Sequence, residues 1–322
     1  MKLSIIIVNY RAWGFLRECL QSLVSDSDSG NWQLVVVDNF SNDGKLPGFR
    51  TDFPKVEFIE AGRNGGFAFG CNTGANVAKG DRLLFLNPDV IVQPGQVGKL
   101  LEVKDGLERP AILTATQVNG KGQAQKTWDI FPNLFTYLKS VKSLLRRVMP
   151  SRYPNPREKH GELMDCDWVS GAVFLLDRKD FDALGGWCED YWLYSEDCDL
   201  CYLAHQSGMQ VACTPDVTFL HHHGGASRQN RQITVLTKTE AIISKHVFNN
   251  RHRKGLLRFS NHLLIFLANV PELVFWTLLD ALSLRRFKAL SIRRSMLKQL
   301  LAYYYKVLKT RDWRSRQACE SP

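Results

Sequence analysis

An α/β fold built on a mostly parallel sheet is predicted for this chain by three observations. Short apolar and β-branched runs recur through about the first ninety residues, and each stops at a polar residue. A stretch of helical spacing separates the first two runs. No internal repeat or low-complexity tract interrupts the pattern, and 322 residues at 44% hydrophobic content supply one sizeable core.

Residues 3–8 form the first run and end at Asn9-Tyr10. Trp13, Phe15, Leu16, Cys19, Leu20, Leu23 and Val24 then fall at helical spacing. The second run, residues 34–37, ends at Asp38-Asn39, giving strand, helix and strand within about forty residues, the length of a βαβ unit. A parallel pair of this kind brings Asn9 and Asp38 to one sheet edge. A third strand over 56–59 precedes the glycine-containing segment 64–72, and a short helix then runs to Ala78.

Leu83, Leu84, Phe85 and Leu86 form a run apolar throughout, the pattern of a strand covered on both faces. Pro88 stops its ladder because it has no N–H to donate, so Asp89 lies at the strand's C-terminal edge. Ligands bind at that edge in open α/β sheets, and a carboxylate there suits a hard divalent cation carrying a diphosphate. A plain turn aspartate is the simpler alternative for Asn87-Pro88-Asp89 taken alone.

The commonest nucleotide-binding signatures are absent. The first turn, residues 8–14, has neither the Gly-x-Gly-x-x-Gly of a dinucleotide fold nor the Gly-Lys-Ser/Thr of a P-loop. A dehydrogenase or an ATPase is therefore excluded.

Further on, Trp168-Val169-Ser170-Gly171-Ala172 leads into a predicted strand over 173–176. A helix is expected from 197, with Leu200, Leu203 and Ala204 on one side and Glu196, Asp197 and Asp199 crowding its first turn, where the dipole favours negative charge. A short strand over 217–220 precedes His221, His222 and His223. Adjacent side chains on an extended chain alternate in direction, so the three cannot all bind one ion. Of eight cysteines only Cys198 and Cys201 form a Cys-x-x-Cys pair, which lacks the second pair a zinc site needs. With no disulfide framework and no N-terminal signal peptide, the chain is expected to be cytoplasmic.

The net charge of +10 resembles a nucleic-acid binder until it is located. Residues 245–322 hold 16 Lys and Arg against 4 Asp and Glu, whereas the preceding 244 hold 26 against 28. That excess brackets an apolar stretch over 262–282, so no nucleic acid is expected as a partner. Asn269, Pro271, Glu272 and Asp280 argue against a spanning helix. The expectation is an interfacial helical hairpin broken near Pro271, with basic residues between 251 and 294 reaching anionic headgroups at a membrane surface. A helix pair that packs on the domain or forms a homodimer is the alternative.

Six segments in order, residues 4–10, 35–39, 64–68, 87–89, 168–172 and 196–200, resemble family 2 of the inverting glycosyltransferases, in its bacterial rhamnosyltransferase-like branch. The likeness spans roughly residues 1–230. It implies a GT-A fold, Rossmann-like with a mixed and mostly parallel sheet, over residues 1–235, and leaves 236–322 as a basic amphipathic helical extension. It also implies an enzyme that moves a sugar, dTDP-rhamnose being the favoured donor, onto a lipid-linked glycan acceptor with Mg or Mn as cofactor. The location implied is the inner face of the cell membrane, held peripherally.

By that resemblance Val8, Asn9, Tyr10 and Asp38 hold base and ribose, with Asn64, Gly66, Phe67, Asn72 and Asn87 also on the nucleotide-sugar side. Asp89 is the metal-binding end of the family's Asp-x-Asp element. The first position of that element is Asn87 here, so a single charged ligand is present and metal affinity should be modest. His222, or its neighbour His221, approaches the metal or diphosphate, in a His-x-x-Gly-x-Ser pattern that Gly225 and Ser227 complete; Arg228 and Arg231 are further phosphate candidates. Trp168, Ser170, Gly171 and Glu196 face sugar or acceptor. Asp197 is the catalytic base. Residues 139–160 are either a mobile insertion over the acceptor side or an ordinary connection. A sugar nucleotidyltransferase and a non-catalytic nucleotide-sugar-binding protein are the competing functions. The first wants a Gly-rich basic loop that residues 8–14 lack, and the second has no need of Asp89 and Asp197 together.

Overall fold

A computed structural model describes residues 2–26, 28–158, 161–222, 231–284 and 286–319. In chain order the elements are β1 (Leu3–Asn9), α1 (Trp13–Val24), β2 (Trp32–Asp38), α2 (Leu46–Asp52), β3 (Glu57–Glu60), α3 (Gly66–Val77), β4 (Arg82–Leu86), β5 (Val90–Ile91), α4 (Gln96–Asp105), β6 (Ala111–Val118) and β7 (Trp128–Asp129). There follow α5 (Lys139–Val148), β8 (Met164–Asp165), β9 (Trp168–Val169), β10 (Val173–Asp177), α6 (Arg178–Ala183), α7 (Glu196–Gln206), β11 (Gln210–His221), α8 (Arg231–His252), α9 (Gly255–Leu282), α10 (Lys288–Thr310) and α11 (Arg316–Cys319).

The chain divides into two compact units. One holds Met1–Phe131, Pro154–Glu189 and Glu196–Ala226; the other holds Pro132–Tyr153, Asp190–Ser195 and Ser227–Pro322.

In the first unit, nine strands among the described residues form one sheet in the order β3-β2-β1-β4-β10-β6-β11-β5, with β8 beside β11. β3, β2, β1 and β4 run parallel, β10 is antiparallel to β4 and β6, and β11 returns parallel to β6. The sheet is buried on both faces. Leu3, Ile5 and Ile7 pack with α1 and α4 residues on one side, while Ile6 and Val8 meet α3 and α7 residues on the other. Both layers being apolar, the strands read as continuous hydrophobic runs. The register pairs Asn9 with Asp38, and Ile7 with both Val36 and Leu86, so the ends of β1, β2 and β4 share one edge.

The segment 64–72 departs from expectation. It is not a loop before a short helix: α3 starts at Gly66 and carries Phe67 and Asn72 on its turns. Gly70 and Gly74 explain this, because a Cβ on Gly74 would collide with Ile6 Cγ2 and one on Gly70 with Val8 Cγ1. The glycines let the helix backbone lie close on β1, and that packing offsets their poor helix propensity of about 1 kcal/mol each. β11 is also longer than the expected 217–220, and an irregularity between Thr214 and Thr218 divides it.

The second unit is helical, and here the expected break near Pro271 is corrected: α9 is one continuous helix with Pro271 inside it. Proline removes one backbone donor and costs about 3 kcal/mol within a helix. The helix persists because Asn261, Ile265, Val270, Leu273 and Asp280 form a buried face packed on α8 and α10. Asn261 donates to Asn249 Oδ1 (2.9 Å), and Asp280 is paired with Arg294 (2.6 Å). His246, His262, Tyr304 and Trp313 form a polar-aromatic core: the two imidazoles share a 2.8 Å hydrogen bond, and His246 bonds the Tyr304 hydroxyl at 2.9 Å. The opposite face of α9 is left outside, with Leu256, Leu263, Leu267, Val274, Leu278 and Leu282 all exposed. On length and composition α9 could cross a bilayer. Residues 139–148, expected within an insertion or connection, form α5 and belong to this helical unit.

Candidate functional site

The shared edge of β1, β2 and β4 gathers the first group of candidate residues. Asn9 is fully buried, donates Nδ2–H to Asp38 Oδ1 (3.2 Å) and accepts the Ala12 N–H on Oδ1 (3.1 Å). Asp38 also receives the hydroxyl and the backbone N–H of Ser41. Burial pushes the Asp38 carboxyl above its ordinary range, and the Ser41 and Asn9 hydrogen bonds pull it back. Directly after these strands the backbone turns through left-handed residues, Arg11 (φ 54°) and Phe40 (φ 63°). Tyr10 is half-buried at this turn with the Arg11 guanidinium over its ring, and Val8 packs against the Gly70 turn of α3.

Asn39 ties the second group to the first. Its Nδ2 donates to the Gly66 carbonyl (2.9 Å) and Asn64 Oδ1 (3.1 Å), and its Oδ1 accepts the Gly65 N–H (3.3 Å). The residues at 64–67 are thus hung from the end of β2. Phe67 packs edge-on to Trp187 at 5.6 Å. Asn72 lies elsewhere: its amide clamps both backbone groups of Trp187 (2.9 and 3.0 Å) and Glu189 Oε1 (2.8 Å), which anchors the loop after α6.

At the end of β4, the Asn87 N–H is held by the Ala172 carbonyl (2.9 Å), and Asp89 is buried with Oδ1 3.2 Å from His221 Nε2. His221, not His222, therefore meets Asp89. His222 keeps only its backbone N–H on the Asp89 carbonyl (2.9 Å), while its ring turns to Glu18 (3.8 Å) and Phe15. Alternation along an extended chain accounts for the exchange. His221 Nδ1 lies 2.7 Å from Gln117 Oε1, a contact that fixes the ring with Nε2 toward Asp89. One carboxylate oxygen and one imidazole nitrogen so arranged fit a divalent ion such as Mn or Mg. Among the described residues no group of three His, Cys, Asp or Glu surrounds a common point. His223, Gly225, Ser227 and Arg228 lie outside the described residues. Arg231 is turned to Ser291 and Ser295 of α10.

The third group stands beside the second. β10 begins opposite the end of β4, pairing Val173 with Leu86, so residues 168–172 enter at the same edge. The Gly171 N–H donates to Asp197 Oδ2 (3.0 Å), and the Cys198 N–H donates to Oδ1 (2.8 Å). A Cβ on Gly171 would sit 3.2 Å from the Phe67 ring, a tight contact, and at an ordinary 3.6 Å from Asp197 Cβ, so the glycine makes room for Phe67. Asp89 and Asp197 are thereby linked through Asn87, Ala172 and Gly171. Ser170 donates its N–H to the Thr127 carbonyl (2.7 Å) and accepts the Ala172 N–H on Oγ. The chain enters α7 through two left-handed residues, Tyr194 (φ 71°) and Ser195 (φ 67°), a strained approach of the kind that accumulates at functional sites.

Two charged side chains missed in the sequence, Lys126 and Asp129, stand in this group. Lys126 Nζ is 2.7 Å from the buried Asp129 and 4.8 Å above the Trp168 ring, whose Nε1–H donates to the Ile130 carbonyl (3.0 Å). Burial raises the Asp197 carboxyl above its usual range, while the Gly171 and Cys198 amides and the Lys126 charge draw it down. Glu196 is a different kind of acid: it is buried, its Oε2 has no hydrogen-bond partner, and burial followed by the Asp197 charge holds its carboxyl well up. The two adjacent acids oppose each other's ionisation, so a charge on one disfavours a charge on the other. Cys198 and Cys201 are buried, their thiols pushed far up by burial, and they pack behind Asp197 as inert side chains.

Comparison with known proteins gives the family and the fold. The rhamnosyltransferase WbbL of Escherichia coli K12 is 24% identical over 263 residues, covering 77% of this chain and 95% of that protein. An N-acetylglucosaminyl-diphospho-decaprenol L-rhamnosyltransferase of Mycobacterium tuberculosis is 26% identical over 239 residues, 68% of this chain and 76% of its own. Among solved structures, the mannosyltransferase of Pyrobaculum calidifontis, determined with GDP-Man and Mn2+, superposes with a TM-score of 0.53 at 16% identity, covering 95% of this chain and 87% of its own. Staphylococcus aureus TarS gives 0.51 at 12% identity, over 97% and 88%. The fold is GT-A. The family described as Glycosyl transferase family 2 matches residues 4–185, more than half of the chain, and the protein belongs to that family of glycosyltransferases.

Proposed function

We propose that this glycosyltransferase moves rhamnose, with inversion, from dTDP-rhamnose or a closely related nucleotide-diphospho-sugar to a hydroxyl of a lipid-linked glycan. The observation that carries the reading is the link from Asp89 through Asn87, Ala172 and Gly171 to Asp197, which puts a cation-binding carboxylate and a candidate base at one sheet edge. The relatives named as rhamnosyltransferases favour the sugar, and the diphospho-decaprenol in the name of one favours the acceptor class. The first unit is read as the transferase domain, acting at the cytoplasmic face of the membrane, and the second as its membrane-contacting unit, with the exposed face of α9 on the lipid.

Asp38, braced by Asn9 and Ser41, accepts hydrogen bonds from base or ribose. Asn39 keeps 64–67 against the sugar nucleotide, and Phe67 with Trp168 walls the sugar side. Asp89 and His221 would hold the divalent ion. When bound, such an ion would supply positive charge against the departing diphosphate. Asp197 takes the proton from the acceptor hydroxyl as the new C1–O bond forms and the C1–O bond to the diphosphate breaks. Attack from the opposite face inverts the anomeric centre in a single step. A pKa raised by burial makes Asp197 a better proton acceptor, and the Lys126 charge keeps it ionised.

The test is incubation of the full chain with Mn2+, a panel of nucleotide sugars and a membrane extract. Release of nucleoside diphosphate with dTDP-rhamnose, coupled to a labelled lipid product, is the result expected. Release of pyrophosphate, or turnover confined to other sugars, overturns the assignment.

A further inference from the structure

We propose that α5 is a second membrane-contacting helix, laid on an anionic bilayer surface with Leu144, Val148 and Met149 at the acyl boundary. The inference rests on the membrane reading of the helical unit and adds to it an element from within the first half of the chain, more than a hundred residues before α9.

α5 is amphipathic on its own pattern. Val141, Leu144, Leu145 and Val148 recur at i, i+3, i+4 and i+7, one face of a helix, and Lys142, Arg146 and Arg147 lie on the other side. In a soluble bundle that apolar face packs inward. Here Leu144 is 59% and Val148 63% exposed, with Met149 and Phe135 beside the helix ends exposed as well. Val141 and Leu145 are half-buried, so the helix leaves the Leu144 and Val148 part of its apolar face uncovered.

The charge around α5 selects the occupant. Residues 132–153 contain five Lys and Arg and no Asp or Glu. The helical unit to which they belong holds 24 basic residues against 6 acidic, a net +18, while the sheet unit holds 18 against 26, a net −8. A short basic helix with an uncovered apolar face, inside a unit of that charge, fits anionic headgroups over exposed acyl chains. It fits a second copy of this chain poorly, because two such units repel. With ten residues, α5 is too short to anchor alone, so it acts as an auxiliary to the 28-residue α9, whose exposed leucines lie on one face. Contact through two helices far apart in sequence fixes how the unit lies on the bilayer, which one helix free to roll about its axis does not.

Vesicle flotation of the full chain tests this, with phosphatidylglycerol-rich and pure phosphatidylcholine vesicles at low and high salt. Leu144→Glu/Val148→Glu is expected to weaken partition onto the anionic vesicles by roughly 10-fold or more, and Leu267→Glu/Leu278→Glu in α9 by more still. If the α5 variant partitions like the parent while the α9 variant falls away, α5 is not a membrane element and the wider reading stands. If neither falls away, the membrane reading fails with it. A Val148→Cys chain carrying an environment-sensitive fluorophore gives an independent readout: its emission should shift to the blue on anionic vesicles, and an unchanged spectrum overturns the proposal. Sedimentation of the α5 variant covers the other occupant. Loss of a dimer with partition intact would assign the face to a second copy.

Discussion

The two units use the same apolar residue types in opposite ways. In the sheet unit, Ile5, Ile6 and Ile7 point alternately to two covered faces, and every apolar residue of β1, β2 and β4 is buried. The polar groups that matter there, Asn9, Asp38 and Asp89, are held at the strand ends by neighbouring hydrogen bonds. In the helical unit, α9 buries one stripe and leaves the other outside, while burial shifts the buried Glu240 and His246 and the half-buried His262 toward their neutral forms. The sheet unit uses its burial to hold carboxylates at strand ends. The helical unit is arranged so that apolar surface remains available.

That comparison can be broken most sharply at Asp89. Asp89→Asn is expected to abolish transfer at every Mn2+ or Mg2+ concentration, read as nucleoside diphosphate release, with vesicle partition unchanged. Near-normal turnover would remove the carboxylate from the chemistry. Next in size, Asp197→Asn should lower kcat by about 10² to 10⁴ while nucleotide affinity by calorimetry stays near that of the parent. Retained activity would move the base to another acid of the same helix turn.

Lys126→Met probes a smaller effect. The Lys126 charge holds the Asp197 carboxyl down, so its loss raises that pKa, and a base must be ionised to act. The acid limb of the kcat/KM profile is expected to move to higher pH, with activity lost several-fold at the acidic end and regained toward alkaline pH. An unshifted limb separates Lys126 from Asp197.

The mildest test lies in the other unit. Glu240 is buried under the Ser315 hydroxyl, and burial lifts its carboxyl from 4.5 to about 7. Between those values the folded chain holds a proton that the unfolded chain has released, so stability falls as pH rises from 4.5 to about 7 and stays reduced above it. At about 1.4 kcal/mol per unit this amounts to at most about 3 kcal/mol. Glu240→Gln should raise the midpoint of the helical unit's thermal unfolding above pH 7 and leave it unchanged below 4.5. Transfer should be unaffected. Equal shifts at both pH values would show that packing, not ionisation, sets its contribution.

Much of the sheet unit was legible because two-sided burial writes itself as unbroken apolar runs. β1, β2, β4 and β10 stand where those runs predict, and α1 follows its helical spacing. β6 was not recognised: its Thr114, Thr116 and Gln117 break the apolar run, yet they serve partners, Thr114 Oγ1 donating to the Val173 carbonyl and Gln117 fixing His221. Lys126, Asp129 and Asn39 were equally hidden, since their importance lies in what folds against them. Asn72 misled for the converse reason: it adjoins the glycine-rich turn in sequence, but one further helical turn aims its amide at Trp187. The histidine run shows the limit of a motif. Only the parity of the strand decides between His221 and His222, and one residue of slip reverses it.

The interruption of the sheet unit by residues 132–153 has a consequence for synthesis. α5 leaves the ribosome about a hundred residues before α9 begins, an interval of roughly 5–20 s at ordinary translation rates. During that interval β8, β10 and β11 have not all been made, so the sheet lacks up to three of its nine strands. A nascent chain thus displays a basic amphipathic helix before it has a complete domain, and on the membrane reading proposed above α5 is available to a bilayer before the longer tail is.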